Sequence, residues 1–388
     1  MEMAKKTKAR ALFISPIDMF ADNGMAHGQA QLLSALCSVY DDVDLLSAGA
    51  PPALAREWLQ RAGIRVNLRT GLFATIARWN TMLWYGGGVI LCNKLKLIDR
   101  FYFPMRTNLP RSWIDTYDVI VCYYAWHYQL LGLNRCERKV IVDTGDIMAD
   151  RHERIGVRRW ITLTSEDERS VLTSGSRCLA VSEADIAEFE KMYGVRPQLL
   201  SFVPPNHRQL IQLASAQMPP RVGFMGAPGF VNEEILRLLS APVFVSTLRR
   251  EGIELLIAGG ICDTVDRRIL SALEEGGARI LGPVRSTAEY YAQIAATVNP
   301  VGPSTGVKIK SVETLIAGRT LITTRWGADS GLAAAFPGQV VHVNWPPELQ
   351  ALAETCTAAV RSAKGGNEVA AEKYVRDATL RLRESLRL

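Results

Sequence analysis

The sequence predicts an α/β protein with two doubly wound parallel sheets. Short apolar runs of four or five residues alternate with helical-period segments along most of the chain, the pattern of βαβ units. The alternation breaks at a mostly polar segment bracketed by Pro204-Pro205 and Pro219-Pro220, then restarts. Each of the two series opens with a strand, a glycine-containing loop and a helix. A chain of 388 residues is long enough for two cores. The expected domains are residues 1–203, a linker at 204–220, residues 221–367, and a C-terminal helix over 368–388 that crosses back to the first domain.

In the first domain Ala11–Ile14 reads as a buried strand. The loop Ser15–Gly28 follows, with Gly24 and Gly28 bracketing His27, and Gln29–Val39 is helical with Leu32, Leu33, Leu36 and Val39 inward. Val43–Leu46 and Arg65–Asn67 are further strands around a helix at Pro52–Ala62. Asp42 and Asp44 form a DxD pair, but nothing nearby supplies further oxygen ligands, so no metal is expected there. Asp118–Cys122 and Lys139–Val142 are strands. Tyr123, Tyr124, Trp126 and His127 follow the first of these, and Asp143-Thr144-Gly145-Asp146 ends the second. Carboxyl ends of strands are where open α/β sheets hold ligands. Asp146 is a candidate proton acceptor for an acceptor hydroxyl, or else a helix cap. Ser165 with Glu168 reads as a capping box. Arg177–Val181, a helix at Ala184–Met192 capped by Ser182, and Leu199–Val203 complete the domain.

The second domain restarts with Arg221–Met225. The turn Gly226–Gly229 follows, then a helix with Ile235, Leu236, Leu238 and Leu239 inward. Glu254–Ala258 and Arg279–Leu281 are strands, the latter followed by Gly282-Pro283-Val284. Tyr290 and Tyr291 belong to a packed helix. Ala296–Asn299 is a strand, Gly302–Val307 a loop with two glycines, and Lys308–Ala317 a helix with Ile309, Val312, Leu315 and Ile316 on one side. Gly318 ends that helix and Leu321–Thr324 is the next strand. Val340–Val343 and a helix at Glu348–Ala363 follow. The start of the 308–317 helix suits an anion: its first N–H groups lack partners, glycines allow close approach, and Lys308 and Lys310 add charge. Glu313 lies three residues beyond Lys310, off the apolar stripe, where it suits a ribose diol. The alternative is an ordinary βαβ unit with Lys310 and Glu313 as a surface pair.

Net charge is +6, and the basic residues from Arg65 to Arg111 outnumber one acid, Asp99, so the rest of the chain is near neutral. That insertion, 71–110, interleaves Phe73, Trp79, Trp84, Tyr85, Phe101, Tyr102 and Phe103 with Arg78, Lys94, Lys96, Arg100 and Arg106. The mixture suits an anionic membrane surface reached through 71–111, against a packed helical pair with a solvated basic face. No nucleic-acid-binding motif accompanies it, so no nucleic acid partner is expected. Seven cysteines without CxxC or zinc spacing suggest reduced thiols. No signal-peptide core and no membrane-spanning run are visible, so a cytoplasmic protein, peripheral on the inner face of the membrane, is expected.

The stretch 302–318 resembles the nucleotide-sugar signature of GT-B glycosyltransferases of the family 4 type. Gly306, Lys308, Lys310, Glu313, Ala317 and Gly318 follow a variant of it, with Thr305 where many members carry a first glutamate. The Asp143–Asp146 segment is similar to the family phrase Asp-Thr-His-Asp, with Gly145 in place of the histidine. The resemblance implies a GT-B fold, two Rossmann-like domains facing an interdomain cleft. It implies a glycosyltransferase, with the alternatives of a nucleotide-sugar epimerase or a non-catalytic scaffold on the same fold. The donor is a UDP- or GDP-sugar and the acceptor a glycan or lipid-linked glycan. No cofactor or metal is required, and the anomeric configuration is retained. Donor-side residues are Gly226, Asn232, Val284, Thr305, Gly306, Val307, Lys308, Lys310 and Glu313; the arginine and lysine that members carry near Gly226 are missing, and Asn232 stands near the lysine's place. Gly24, His27 and Gly28 fall on the acceptor side, with Asp146, His27 and His127 as candidate catalytic groups.

Overall fold

The computed structural model describes residues 7–15, 24–47, 52–81, 100–102, 109–125, 131–136, 139–149 and 160–387 except 364 and 367, with isolated positions between 83 and 95 and Tyr128. It divides into two units, Met1–Phe202 with Ala378–Leu388, and Val203–Asp377.

The first unit is built on a seven-stranded sheet. Its strands are β1 (Thr7–Ser15), β2 (Tyr40–Ser47), β3 (Asn67–Leu68), β5 (Val119–Tyr123), β6 (Val140–Asp143), β8 (Arg177–Ala180) and β9 (Gln198–Leu199). They lie in the order β3-β2-β1-β5-β6-β8-β9, every pairing parallel. A separate parallel pair joins β4 (Arg100–Tyr102) and β7 (Trp160–Thr162). Alternate residues of a strand face opposite sides, and here both sides are covered. Leu12, Ile14, Ile120 and Cys122 enter one core, while Ala11, Phe13, Val119 and Val121 enter the other. That is why these strands read as continuous apolar runs. The second core is completed by Leu382 and Leu386 of the last helix, Glu368–Leu386. Its end is tied down by Tyr40, whose hydroxyl donates to Leu386 O at 2.8 Å, and by Arg381, which donates to Ser201 Oγ at 3.1 Å.

The DxD pair is structural. Asp44 is buried and accepts from Tyr117 Oη and from Arg69 and Arg10, and Asp42 accepts from Arg10 Nε at 2.8 Å. All of these donors reach Oδ2 of Asp44, so its buried charge is balanced by Arg69 and Arg10 and is not available to a metal.

The second unit has six parallel strands: β10 (Arg221–Met225), β11 (Glu254–Ala258), β12 (Arg279–Gly282), β13 (Ala296–Asn299), β14 (Thr320–Thr323) and β15 (Val340–His342). Their order is β12-β11-β10-β13-β14-β15. In both units the order reverses beside the first strand, the doubly wound arrangement that opens a crevice at the strands' carboxyl ends. Residues 207–212, expected as linker, form a short helix of this unit with Leu210 fully buried. Among the described residues no helix is long and apolar enough to cross a membrane.

Candidate active site

In the second unit the crevice opens between β10 and β13. The turn after β10 packs backbone on backbone against the end of β11. Gly226 N donates to Ala258 O and Ile261 N to Gly226 O, both at 3.0 Å. Gly259 makes the approach possible: its φ is +98°, and a Cβ there would lie 2.3 Å from Gly226 O. Asn232, on the following helix (Phe230–Leu239), donates from Nδ2 to Ala227 O at 2.8 Å. Its Oδ1 is thereby left to accept, and it accepts from Lys310 Nζ at 2.7 Å.

Lys310 is the centre of this corner. It reaches back from the helix Ile309–Ile316 to Asn232, and its ammonium sits 4.3 Å from the Phe224 ring centroid. Among the described residues no carboxylate lies within ion-pair distance of it. Burial, and to a smaller extent Lys308, push its pKa down to about 7, against a smaller upward pull from Glu313. The surface Lys310–Glu313 pair is therefore not what forms. Lys308 behaves differently: Nζ donates to Thr305 O at 2.7 Å and Gly306 O at 2.9 Å, closing its own loop, with Gly306 at φ +77°. The backbone at Gly302 lies on the Trp345 indole, where a Cβ would come within 2.9 Å of the ring. Thr305 and Val307 are half-buried on this loop, and the helix it leads into has no side-chain cap at its N-terminus. Val284 follows the edge strand β12, half-buried.

Glu313 is 5 % exposed. Its Oε1 accepts from Thr287 Oγ at 3.3 Å and its Oε2 faces Tyr291 Oη at 3.3 Å. Neither hydroxyl was visible as a site group in the sequence. Both come from the helix Thr287–Tyr291, more than twenty residues upstream.

In the first unit the acceptor-side residues sit differently from expectation. The helix begins at Gly24, not Gln29, so Gly24, His27 and Gly28 lie in its first turns rather than in a loop. The reason is packing: Ala26 is buried and extends the stripe of Gln29, Leu32, Leu33 and Leu36 by a turn. Gly28 faces Tyr123, whose Oη would lie 3.9 Å from a Cβ there. Gln29 accepts a hydrogen bond from Ser15 Oγ at the end of β1. His127 lies outside the described residues, as does most of 82–108.

Asp146 is held by a tight turn after β6. Gly145 N donates to Asp143 Oδ1 at 2.9 Å, and Asp146 N to Thr144 O at 2.7 Å. Asp146 caps no helix in this turn. Two residues on, Met148 N donates to Glu168 Oε1 at 2.7 Å, and Tyr193 Oη donates to Glu168 Oε2 at 2.9 Å. So Glu168 is not half of a capping box. Thr164 caps that helix by accepting from Asp167 N, and Glu168 is fully buried. Burial pushes both Asp143 and Glu168 up to about 7. Gly145 has φ +68°, and a Cβ there would meet the Tyr124 ring at 2.2 Å. Gly145→Ala is expected to cost at least about 2 kcal/mol, from the backbone and the clash together. A thermal or urea unfolding curve checks it.

Residues 219–360 match the family model Glycosyl transferases group 1. The second unit is a glycosyl transferases group 1 domain. Solved structures align along nearly the whole chain. HepE of Anabaena, in complex with UDP and glucose, aligns over 96 % of this chain and 95 % of its own at 13 % identity and TM-score 0.56. WaaG, a glycosyltransferase involved in lipopolysaccharide biosynthesis, aligns over 96 % and 94 % at 13 % identity and TM-score 0.52. TarM aligns over 100 % and 97 % at 10 % identity and TM-score 0.61. At these identities the likeness shows the fold, which is GT-B. No curated protein matches the sequence. Family domain and fold together make the chain a GT-B glycosyltransferase.

Proposed function

We propose that the protein moves a hexosyl group from a UDP- or GDP-sugar to a glycan or lipid-linked glycan, without a metal and with retention at the anomeric carbon. The observation that carries the reading is Lys310, a half-buried lysine whose ammonium is held on Asn232 over the Phe224 ring and faced by no carboxylate among the described residues, beside an uncapped helix start. Family members carry a lysine near position 232; here the ammonium comes from the neighbouring helix, and Asn232 presents it. As the donor's glycosidic bond breaks, charge grows on the diphosphate. A fixed ammonium and backbone N–H groups stabilise that charge without reorganising, which is the task a metal performs elsewhere. Glu313 is suited to accept from the ribose hydroxyls. Thr305, Gly306 and Val307 form the loop assigned to the donor sugar, and Val284 is assigned to the base.

Among the structures with the same fold, a TarM variant from S. aureus was crystallised with fondaparinux, alpha-GlcNAc-glycerol and UDP. A carbohydrate acceptor is the corresponding reading here, with Asp146 and His27 on the acceptor side. The helix Leu72–Thr81 exposes Leu72, Ile76 and Trp79 at one-turn spacing in the most basic part of the chain. That face supports docking to an anionic membrane surface, where a lipid-linked acceptor resides.

The experiment is a thermal-shift screen of nucleoside diphosphates and nucleotide sugars with and without magnesium. One nucleotide is expected to stabilise the protein equally in both conditions. Donor turnover without acceptor would instead indicate an epimerase. Indifference to every nucleotide would indicate a binding or scaffold protein.

A further inference from the structure

Glu313 does not orient itself. A buried carboxylate offers about four lone-pair positions, and which ones remain for a ligand depends on the donors already in place. Tyr291 Oη lies near both Glu313 Oε2 at 3.3 Å and Lys310 O at 3.1 Å, so its single proton is shared between two acceptors. Thr287 is unambiguous. Asn206 Nδ2 donates to Thr287 Oγ at 2.8 Å, which occupies a lone pair of that hydroxyl and leaves its proton for Glu313 Oε1. Asn206 occupies the N-cap position of the helix His207–Gln212 yet makes no side-chain cap there. Asparagine is among the best N-caps, so the side chain forgoes its local role to reach Thr287.

We propose that Asn206 and Thr287 are positioning residues that set how Glu313 reads the ribose diol of the donor nucleotide, a proposal that rests on the donor-site reading above. The chain Asn206 Nδ2–H to Thr287 Oγ–H to Glu313 fixes the carboxylate's rotation, and with it the direction from which two adjacent hydroxyls meet its oxygens. Nucleotides with both ribose hydroxyls are thereby selected over 2′-deoxy forms. Asn206 lies just past the start of the second unit, in a segment that reads as linker in the sequence.

The test is isothermal titration of UDP, GDP and their 2′-deoxy forms into the full chain and its variants. The native protein is expected to bind one ribonucleotide on the order of 10–100-fold more tightly than its 2′-deoxy form. Thr287→Val, close in shape, compresses that ratio to a few-fold, and Thr287→Ser restores it. Asn206→Asp draws the Thr287 proton to itself and compresses the ratio likewise. Inorganic pyrophosphate binding stays unchanged in all three, which separates positioning from general damage. Glu313→Ala removes the preference altogether. If Glu313→Ala flattens the ratio while Thr287→Val keeps the native value, the positioning proposal fails alone. If Glu313→Ala also keeps the native ratio, or if no nucleotide binds, the donor-site reading fails with it.

Discussion

Lys310→Ala is expected to weaken nucleoside diphosphate binding about 100-fold, equivalent to about 3 kcal/mol, the usual loss when one member of a buried charged contact is removed. Turnover should fall by a similar or larger factor, because the same ammonium would face growing negative charge on the leaving group. Lys308→Ala is expected to act less. Its ammonium is spent on Thr305 O and Gly306 O, so removing it loosens the loop without removing the charge assigned to the diphosphate. Lys310→Met separates function from stability. The native ammonium is enclosed by the Phe224 ring and Asn232 and has no anionic partner at ion-pair distance among the described residues, so its charged form is a burden on the free protein. The methionine variant is expected to lose nucleotide binding while its unfolding temperature at pH 6 rises by a few degrees. Calorimetry and nucleotide titration on one preparation check both halves. A variant that binds nucleotide like the native protein would remove Lys310 from the donor site.

Donor affinity is expected to fall as pH rises above 7. In the free protein burial, then Lys308, hold Lys310 down to about 7, opposed by Glu313. A bound diphosphate favours the charged form and raises that pKa. Below pH 7 the ammonium is present before binding. Above it, each binding event must take up a proton, and Kd should worsen by up to about tenfold per pH unit between pH 7 and pH 9. Titrations in buffers of different ionisation enthalpy should show close to one proton taken up at pH 8. The other groups facing Lys310 are Asn232 and Phe224, which do not titrate, and Tyr291, whose pKa burial raises well above its usual value. Stability follows the opposite trend. The lysine's folded pKa lies below its unfolded value, so the unfolded chain binds more protons from about pH 7 to 10, and Lys310 burdens the fold less as pH rises. The gap in unfolding temperature between native protein and Lys310→Met should therefore narrow over that window.

Much of the donor site is legible before folding because it is local. Gly306, Lys308, Lys310 and Glu313 lie within eight residues, and helical spacing alone relates Lys310 to Glu313. What spacing cannot tell is which way each side chain turns. Lys308 and Lys310 look equivalent in the sequence, yet one closes its own loop and the other reaches 78 positions back to Asn232. Glu168 has the spacing of a capping glutamate, but Thr164 takes the capping role and Glu168 turns inward to Met148 and Tyr193. The first helix begins earlier than its glycines suggest, because burial of Ala26 outweighs the helix cost of Gly24 and Gly28.

By itself the sequence determined the α/β class, the two parallel sheets and the strand-loop-helix that begins at Ala296. Those follow from hydrophobic period and glycine placement, which act over a few residues. Only the tertiary structure decided that Asn232 receives Lys310, that Thr287 and Tyr291 meet Glu313, and that Asn206 reaches Thr287. Such contacts join segments brought together by the order of strands in a sheet. Their strength depends on burial and on where each proton points, and neither is written in the spacing of residues along a chain.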